Sequence, residues 1–123
     1  MTLPRKLTTA LAALLCVVAT AARSQTMDIN SANSLLPYCK AVLLAPGGDV
    51  PSAQVGLAMT CLGMFAAMNQ LQTELGFCAP HTVPTGQMLR VAVTYAEANP
   101  ARMHEPLPRL ALEALRKAWP CRR

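Results

Sequence analysis

The apolar residues of this chain recur every three or four positions, which is the spacing of amphipathic α-helices. The first run starts at Asn33 or Ser34 and ends in the Ala-Pro-Gly-Gly sequence of residues 45–48. Pro37 is expected in the first turn of this helix, where its missing N–H costs nothing. No segment alternates apolar and polar residues over the length of a strand. The pattern therefore predicts an all-α fold.

The second run begins after Asp49 and continues to Gly76. It is apolar on nearly all sides, and no charged residue occurs between Val55 and Met68. The apolar segment from Val55 to Met68 is shorter than the ~20 residues needed to cross ~30 Å of hydrocarbon. We therefore expect other helices or a second subunit to cover this helix. The methionines are expected in the core, although a soft-metal thioether site or an adaptable binding surface is an alternative.

A proline-containing connector of residues 77–85 leads to a third helix, which stops before Pro100. A link of residues 102–106 then leads to a last helix, which ends near Trp119. The polar face of this helix carries three residues that are expected to form i,i+4 ion pairs: Arg109, Glu113 and Lys117. The sequence thus predicts a small four-helix domain of two helical hairpins.

The N-terminus has the features of a secretory signal peptide. Arg5 and Lys6 precede an uncharged run of residues 7–22 that ends in small residues. We expect residues 1–24 to be removed, within a few residues, and residues 25–123 to form the mature domain. The run is too short for a stable membrane anchor. Cys16 follows Leu15, where a lipid-attachment sequence requires a small residue, so a lipoprotein is disfavoured.

Four cysteines remain after Cys16 is removed with the signal peptide: Cys39, Cys61, Cys78 and Cys121. An even number in an exported chain predicts two disulfides. Their spacing is too wide for a structural zinc site, and the two histidines are far apart. Three pairings are possible, and the order of the hairpins favours Cys39 with Cys61 and Cys78 with Cys121.

The charge of the chain does not indicate a nucleic-acid-binding protein. Eleven Lys and Arg residues face six Asp and Glu residues, but three of the basic residues lie in the predicted signal peptide. Two more are the last residues, Arg122 and Arg123. Only two Phe, two Tyr and one Trp are available to stack on bases. We therefore expect no nucleic acid partner.

The only sequence that invites a catalytic interpretation is Cys78-Ala79-Pro80-His81, a thiol near an imidazole. A cysteine in a disulfide cannot act as the nucleophile, and His81 lies between prolines in a turn. His104 and Glu105 are expected to cap the last helix or to contact a partner. No phosphate-binding loop, GxSxG or HExxH sequence occurs. We expect a protein that is not an enzyme and needs no cofactor or metal.

Several short motifs resemble the Rap/Tai immunity family. The four cysteines occur in the family's order, and the similarity runs from about Leu35 to Cys121. The matching motifs are Cys61-Leu62-Gly63, Phe77-Cys78-Ala79-Pro80 followed by Val83 and Gln87, Asn99-Pro100, His104-Glu105-Pro106, Ala114-Leu115 and Pro120-Cys121. Two positions depart from the family: Met64 replaces an aromatic residue, and Pro84 replaces a threonine.

The resemblance implies a periplasmic, all-helical and often homodimeric protein that binds and blocks a peptidoglycan amidase delivered by type VI secretion. The predicted contact segments are residues 80–86 in the connector region and residues 102–105 in the link, which are polar and stiffened by prolines. Their candidate partner-binding residues are His81, Thr82, Thr85, Arg102, His104 and Glu105. An alternative function is that of a small exported helical chaperone, whose exposed apolar surface would bind unfolded clients.

Overall fold

A computed structural model describes residues 28–45 and 49–122 of the chain, and the predicted signal peptide lies outside them. This part of the chain contains helices and no strand, apart from an isolated bridge between Ser31 and Pro106. The helices are α1 (Ala32–Leu44), α2 (Ser52–Gln70), α3 (Gln72–Leu75), α4 (Thr85–Glu97) and α5 (Leu107–Ala118), and a 3-10 turn occupies Pro100–Arg102. The predicted all-α fold is confirmed.

The helices pack as two hairpins on one core. α1 packs against α2, α4 packs against α5, and α1 also contacts α4 and α5. The largest completely buried side chains come from both hairpins and from the connector: Phe65, Phe77, Met88, Leu89, Leu107, Leu110 and Leu115. Burying one such side chain contributes roughly 1.5–3 kcal/mol. Both hairpins therefore depend on the same hydrophobic core.

Each hairpin is associated with one disulfide. Cys39 on α1 is bonded to Cys61 on α2, and their Cα atoms are 5.5 Å apart. Cys78 in the connector is bonded to Cys121 after α5, with a Cα separation of 4.9 Å. These are the pairs that the order of the hairpins favours. The first bond fixes α1 against α2, and the second ties the connector to the end of α5.

The first helix starts earlier than the sequence suggests. Ser31, and not Asn33 or Ser34, is the N-cap, and its hydroxyl accepts the Ser34 N–H at 3.3 Å. Pro37 therefore lies inside α1 and not in its first turn. Because proline has no N–H, the Asn33 carbonyl receives no i→i−4 hydrogen bond from residue 37.

The predicted second helix is divided in two. α2 ends at Gln70, and Leu71 leaves the helical conformation with φ −109° and ψ 27°. Its N–H is shared by the carbonyls of Ala67 and Met68, which is a common tightening of a last helical turn. The short helix α3 then ends at Gly76, whose φ of 79° is the left-handed conformation that favours glycine.

One side of α2 is not covered in the described protomer. Ala58, Cys61, Phe65 and Met68 are buried, but Met59 is 58% exposed on the other side of the helix. The methionines are thus divided between two environments, since Met68 and Met88 belong to the core. The expectation that helices cover α2 holds for one of its sides only. In the described residues, no helix is both long and apolar enough to span a membrane.

Candidate partner-binding site

The six candidate residues lie at opposite ends of the α4–α5 hairpin. The connector residues His81, Thr82 and Thr85 stand at the start of α4, beside the end of α5. The other three residues lie between the end of α4 and the start of α5. The 13 residues of α4 span about 20 Å at 1.5 Å per residue. The structure therefore shows two separate candidate surfaces, one for each group.

The connector between α3 and α4 is anchored on both sides. Phe77 and Ala79 are buried, and the Cys78 N–H donates to the Trp119 carbonyl at 2.8 Å. The Gln72 Oε1 atom accepts the Ala79 N–H at 2.8 Å. Together with the Cys78–Cys121 bond, these contacts hold the connector against α3 and the end of α5. A loop held in this way loses little conformational freedom when it binds a partner.

The tip of the connector is exposed. His81 and Thr82 are exposed, whereas Thr85 is half-buried as the first residue of α4. Pro80 and Pro84 bracket the tip, and the Val83 N–H closes a turn on the Pro80 carbonyl at 2.9 Å. The imidazole and the hydroxyl of the tip are thus presented by a short, stiff segment. These two side chains are the accessible candidates at this end of the hairpin.

Arg102 in the link is held by two carboxylates. Its Nε and Nη2 atoms donate to Glu105 at 2.6 and 2.8 Å. Its Nη1 and Nη2 atoms donate to Glu113 of α5 at 2.7 and 2.9 Å. The Tyr95 hydroxyl of α4 also donates to Glu113, at 3.0 Å. The guanidinium therefore joins the link to both helices of the hairpin through paired, charge-assisted hydrogen bonds.

These contacts stabilise the charged forms of all three groups. Hydrogen bonds from Arg102 lower the pKa of Glu113 to about 2, and they also lower the pKa of Glu105. Hydrogen bonds to Glu105 and Glu113 raise the pKa of Arg102. The network is therefore fully ionised at neutral pH.

The network also shows that the ion pairs predicted along α5 are wrong. Glu113 is bound to Arg102 and Tyr95, and no ion pair joins it to Arg109 among the described residues. The Lys117 Nζ instead lies 4.8 Å from the centre of the Tyr95 ring. The Arg102 guanidinium, in the 3-10 turn before α5, donates a hydrogen bond to each oxygen of the Glu113 carboxylate. A single i,i+4 contact would not bind both oxygens.

The link also supplies hydrogen-bond acceptors to the start of α1. The Ala32 N–H donates to the Glu105 carbonyl at 2.9 Å, and the Asn33 N–H donates to the Met103 carbonyl at 2.8 Å. In the opposite direction, the Leu107 N–H donates to the Asn30 carbonyl at 2.8 Å. These bonds satisfy amides that a helix leaves unpaired in its first turn. No side chain is needed for them, which is why sequence reasoning missed them.

The structure therefore assigns different roles to the three link residues. Arg102 and Glu105 are half-buried and use their charged groups within the protein, whereas His104 is exposed. The sequence suggests Arg102 as a partner-binding residue, but its guanidinium donates to Glu105 and Glu113 of the same chain. Glu105 does not cap α5, since α5 has no side-chain cap. His104 is the accessible side chain of this surface.

Nothing in the described residues resembles a metal centre, because no group of three or more His, Cys, Asp or Glu side chains is close enough to hold an ion. Cys78 is oxidised, so its sulfur is not available as a nucleophile beside His81. The two candidate surfaces offer hydrogen-bonding side chains on a fixed scaffold, which suits recognition of another protein.

A helical scaffold with two disulfides does not by itself define a function, because one fold can host many. The family profile that describes Rap1a immunity proteins matches residues 8–121 of the chain. The chain belongs to this family. No curated protein and no solved structure matches it significantly. Family membership identifies the partner in general terms as a secreted effector protein, and the disulfides fit an exported protein in an oxidising compartment.

Proposed function

We propose that this protein is a periplasmic immunity protein that binds and occludes the active-site cleft of a peptidoglycan amidase delivered by type VI secretion. Membership of the Rap1a immunity family is the observation that carries the proposal. The proposed route to the periplasm is export and removal of residues 1–24, which leaves a mature domain of residues 25–123. An immunity protein acts stoichiometrically, so it needs a preformed surface and not a reaction centre.

The tip of the connector is the proposed inhibitory element. His81 and Thr82 are exposed on a segment that is fixed by a disulfide and by hydrogen bonds from both sides. An enzyme cleft is concave, and a short rigid loop is a shape that can enter it. Because the loop is already ordered, binding loses less conformational entropy than it would with a flexible loop.

The opposite end of the hairpin is a second, smaller contact in this proposal. His104 lies about 20 Å from the connector along α4, so one effector would have to extend along the hairpin to touch both ends. Arg102 acts there as a positioning residue, since it holds the link to Glu113. Replacing Arg102 is therefore expected to disturb the shape of the link.

The proposal is tested by capture followed by an inhibition assay. The oxidised protein is used as bait for envelope and secreted proteins of its source cell, at neutral and acidic pH. We expect one wall hydrolase at fixed stoichiometry, and the purified hydrolase should stop cleaving peptidoglycan when one equivalent of this protein is added. Recovery of a hydrolase that remains active would overturn the proposal. Recovery of many unrelated unfolded chains, in acid only, would favour an exported chaperone.

The two surfaces are then compared with matched variants. A His81→Ala, Thr82→Ala double variant should weaken binding of the captured hydrolase by about 10- to 100-fold, if these residues include a binding hot spot. His104→Ala at the opposite end is the matched exposed histidine, and it should change affinity much less. Equal losses would show that the effector covers both ends of the hairpin. A loss from His104→Ala alone would move the site to the link.

The exposed side of α2 is the proposed homodimer interface. α2 contains 19 residues without a single charge, and Val55 and Met59 are 42% and 58% exposed. Gly56 and Gly63 lie on the same side, and a Cβ atom added to either would meet nothing within 4 Å. Positions 56, 59 and 63 share one face at helical spacing, so a second copy could pack closely along it.

Sedimentation equilibrium tests the dimer. Met59→Lys places a charge in the centre of the proposed interface, and we expect it to convert the dimer to a monomer. Thr94→Lys adds the same charge at an exposed position of α4 and should leave the dimer unchanged. A wild-type protein that sediments as a monomer, or a Met59→Lys protein that remains dimeric, would exclude this interface.

A further inference from the structure

The two disulfides differ in their access to solvent. Cys39 and Cys61 are completely buried, whereas Cys78 is exposed and Cys121 is half-buried. Thiol–disulfide exchange requires a thiolate to reach one sulfur of the bond. Residue exposure therefore favours Cys78–Cys121 over Cys39–Cys61 as the bond that an external thiol attacks, and Cys78, the more exposed residue, as the point of attack.

A polar cleft of about 420 Å³ lies beside the exposed cysteine, between the end of α2 and the connector. Besides Cys78 and Ala79, its walls are formed by amide, hydroxyl and imidazole side chains: Asn69, Gln70, Gln72, Thr73 and His81. None of the residues that line the cleft is acidic. An attacking thiolate therefore meets hydrogen-bond donors there and no negative charge from the lining residues.

We propose that Cys78–Cys121 is a site of reversible thiol–disulfide exchange with a dithiol reductant, such as the active-site cysteine pair of a small oxidoreductase. One thiolate of the reductant attacks the Cys78 Sγ, the disulfide breaks, and the Cys121 thiolate leaves and takes a proton from solvent. The second thiol of the reductant then attacks the mixed disulfide. Cys78 leaves as a thiolate and is protonated, and the reductant becomes a disulfide, so two electrons are transferred.

Opening this bond loosens the connector by removing its covalent tie, and it does not separate the helices. The Cys39–Cys61 bond continues to join α1 to α2. α4 and α5 remain packed through buried side chains that include Leu89 and Leu110. What is lost is the covalent tie between the connector and residues 119–122. If the connector is the inhibitory element, reduction weakens inhibition; that consequence rests on the proposed function, but the exchange itself does not.

Thiol trapping on the full-length, oxidised protein tests the site. The protein is treated with a concentration series of dithiothreitol and quenched with N-ethylmaleimide, and the labelled cysteines are identified by peptide mass spectrometry. We expect Cys78 and Cys121 to be labelled at least about ten-fold faster than Cys39 and Cys61. Equal labelling rates, or faster labelling of the buried pair, would overturn the proposal.

The monothiol glutathione identifies the sulfur that is attacked. We expect the glutathione adduct on Cys78 and the free thiol on Cys121, because Cys78 is the more exposed. An adduct found mainly on Cys121 would contradict the proposed direction of attack. Neither measurement involves the effector, so the exchange site and the proposed function can fail separately.

Hydrogen exchange measures the release of the connector. After opening of Cys78–Cys121, amides in residues 77–84 should exchange about ten-fold faster or more, and amides in α1 should not change. A Cys78→Ala, Cys121→Ala variant should show the same pattern without reductant, and its Cys39–Cys61 bond should resist dithiothreitol as in the wild type. Uniformly faster exchange in the reduced wild-type protein would show that the bond supports the whole fold, and it would exclude a local switch.

Discussion

The two hairpins share a core but differ in the polarity of their outer surfaces. α5 places five buried apolar residues on one side and charged residues on the other, so packing within a single protomer covers its apolar side. α2 has no charged residue, and large apolar side chains such as Met59 remain exposed. Burial within the protomer therefore does not explain why α2 lacks charged residues on its exposed side. A helix with apolar residues on all sides calls for a second covering surface.

The largest expected effect tests whether the two hairpins depend on one core. Phe65→Ala in α2 and Leu110→Ala in α5 each remove a completely buried side chain, and each should lower the free energy of unfolding by about 2–5 kcal/mol. Urea denaturation measures both, with Thr94→Ala at an exposed position of α4 as the control. If one variant loses stability and the other does not, the hairpins are separate units.

The next prediction concerns the ion network of the second hairpin. Arg102→Ala leaves Glu105 and Glu113 without their shared partner, so the free energy of unfolding should fall by less than in the core variants. Arg109→Ala removes an exposed arginine from the start of α5 and is the matched control. Denaturation curves that are the same for the two arginine variants would mean that the network does not hold the link.

The same network predicts a pH dependence. The pKa values of Glu105 and Glu113 lie below their ordinary value of 4.5, and that of Glu113 is about 2. A carboxylate whose pKa is lower in the folded protein than in the unfolded chain stabilises the folded protein at pH values above the ordinary pKa. This contribution is lost as the pH falls from 4.5 towards 2. Denaturation at a series of pH values should show this loss in the wild type and less of it in Glu113→Gln. An unchanged slope in that variant would contradict the assignment.

The smallest expected effect is at the ion pair between Lys40 of α1 and Glu97 of α4, which joins the two hairpins at the surface. Both side chains are nearly half exposed, so Lys40→Met should change the free energy of unfolding by about 0.5 kcal/mol or less at low salt. Added salt should reduce the difference further. A loss comparable to that of Arg102→Ala would show that the hairpins meet mainly through this pair.

Periodicity was sufficient to predict the helices and the hairpin order, because apolar side chains at helical spacing have to be buried together. The end of α2 was not predictable in the same way. Leu71 fits the apolar pattern, and only its backbone angles show the break. The sequence offers Asn33 and Ser34 as caps, which predicts Pro37 in the first turn, but Ser31 is the cap and Pro37 lies inside α1.

The predicted contact residues lie in two polar segments, and two of them, Arg102 and Glu105, use their charged groups within the protein. Arg102 is polar and lies in a short link, which is also typical of a contact residue. Its partner Glu113 lies on another element, and the sequence contains no sign of that pairing. The hydrogen bonds between residues 30–33 and 103–107 involve backbone atoms, which every residue carries. Long-range backbone pairing of this kind has no signature in residue type.

The backbone hydrogen bond from Ala32 to Glu105 has a consequence for the order in which the chain folds. A protein that crosses a membrane from its N-terminus presents α1 early, but the carbonyls that complete the first turn of α1 come from the link before α5. The Cys39–Cys61 bond can form while the rest of the chain is still in transit. If the chain is exported as proposed, α1 therefore lacks these hydrogen bonds until residues 103–105 have crossed the membrane, and Cys121 is the last of the four cysteines to arrive.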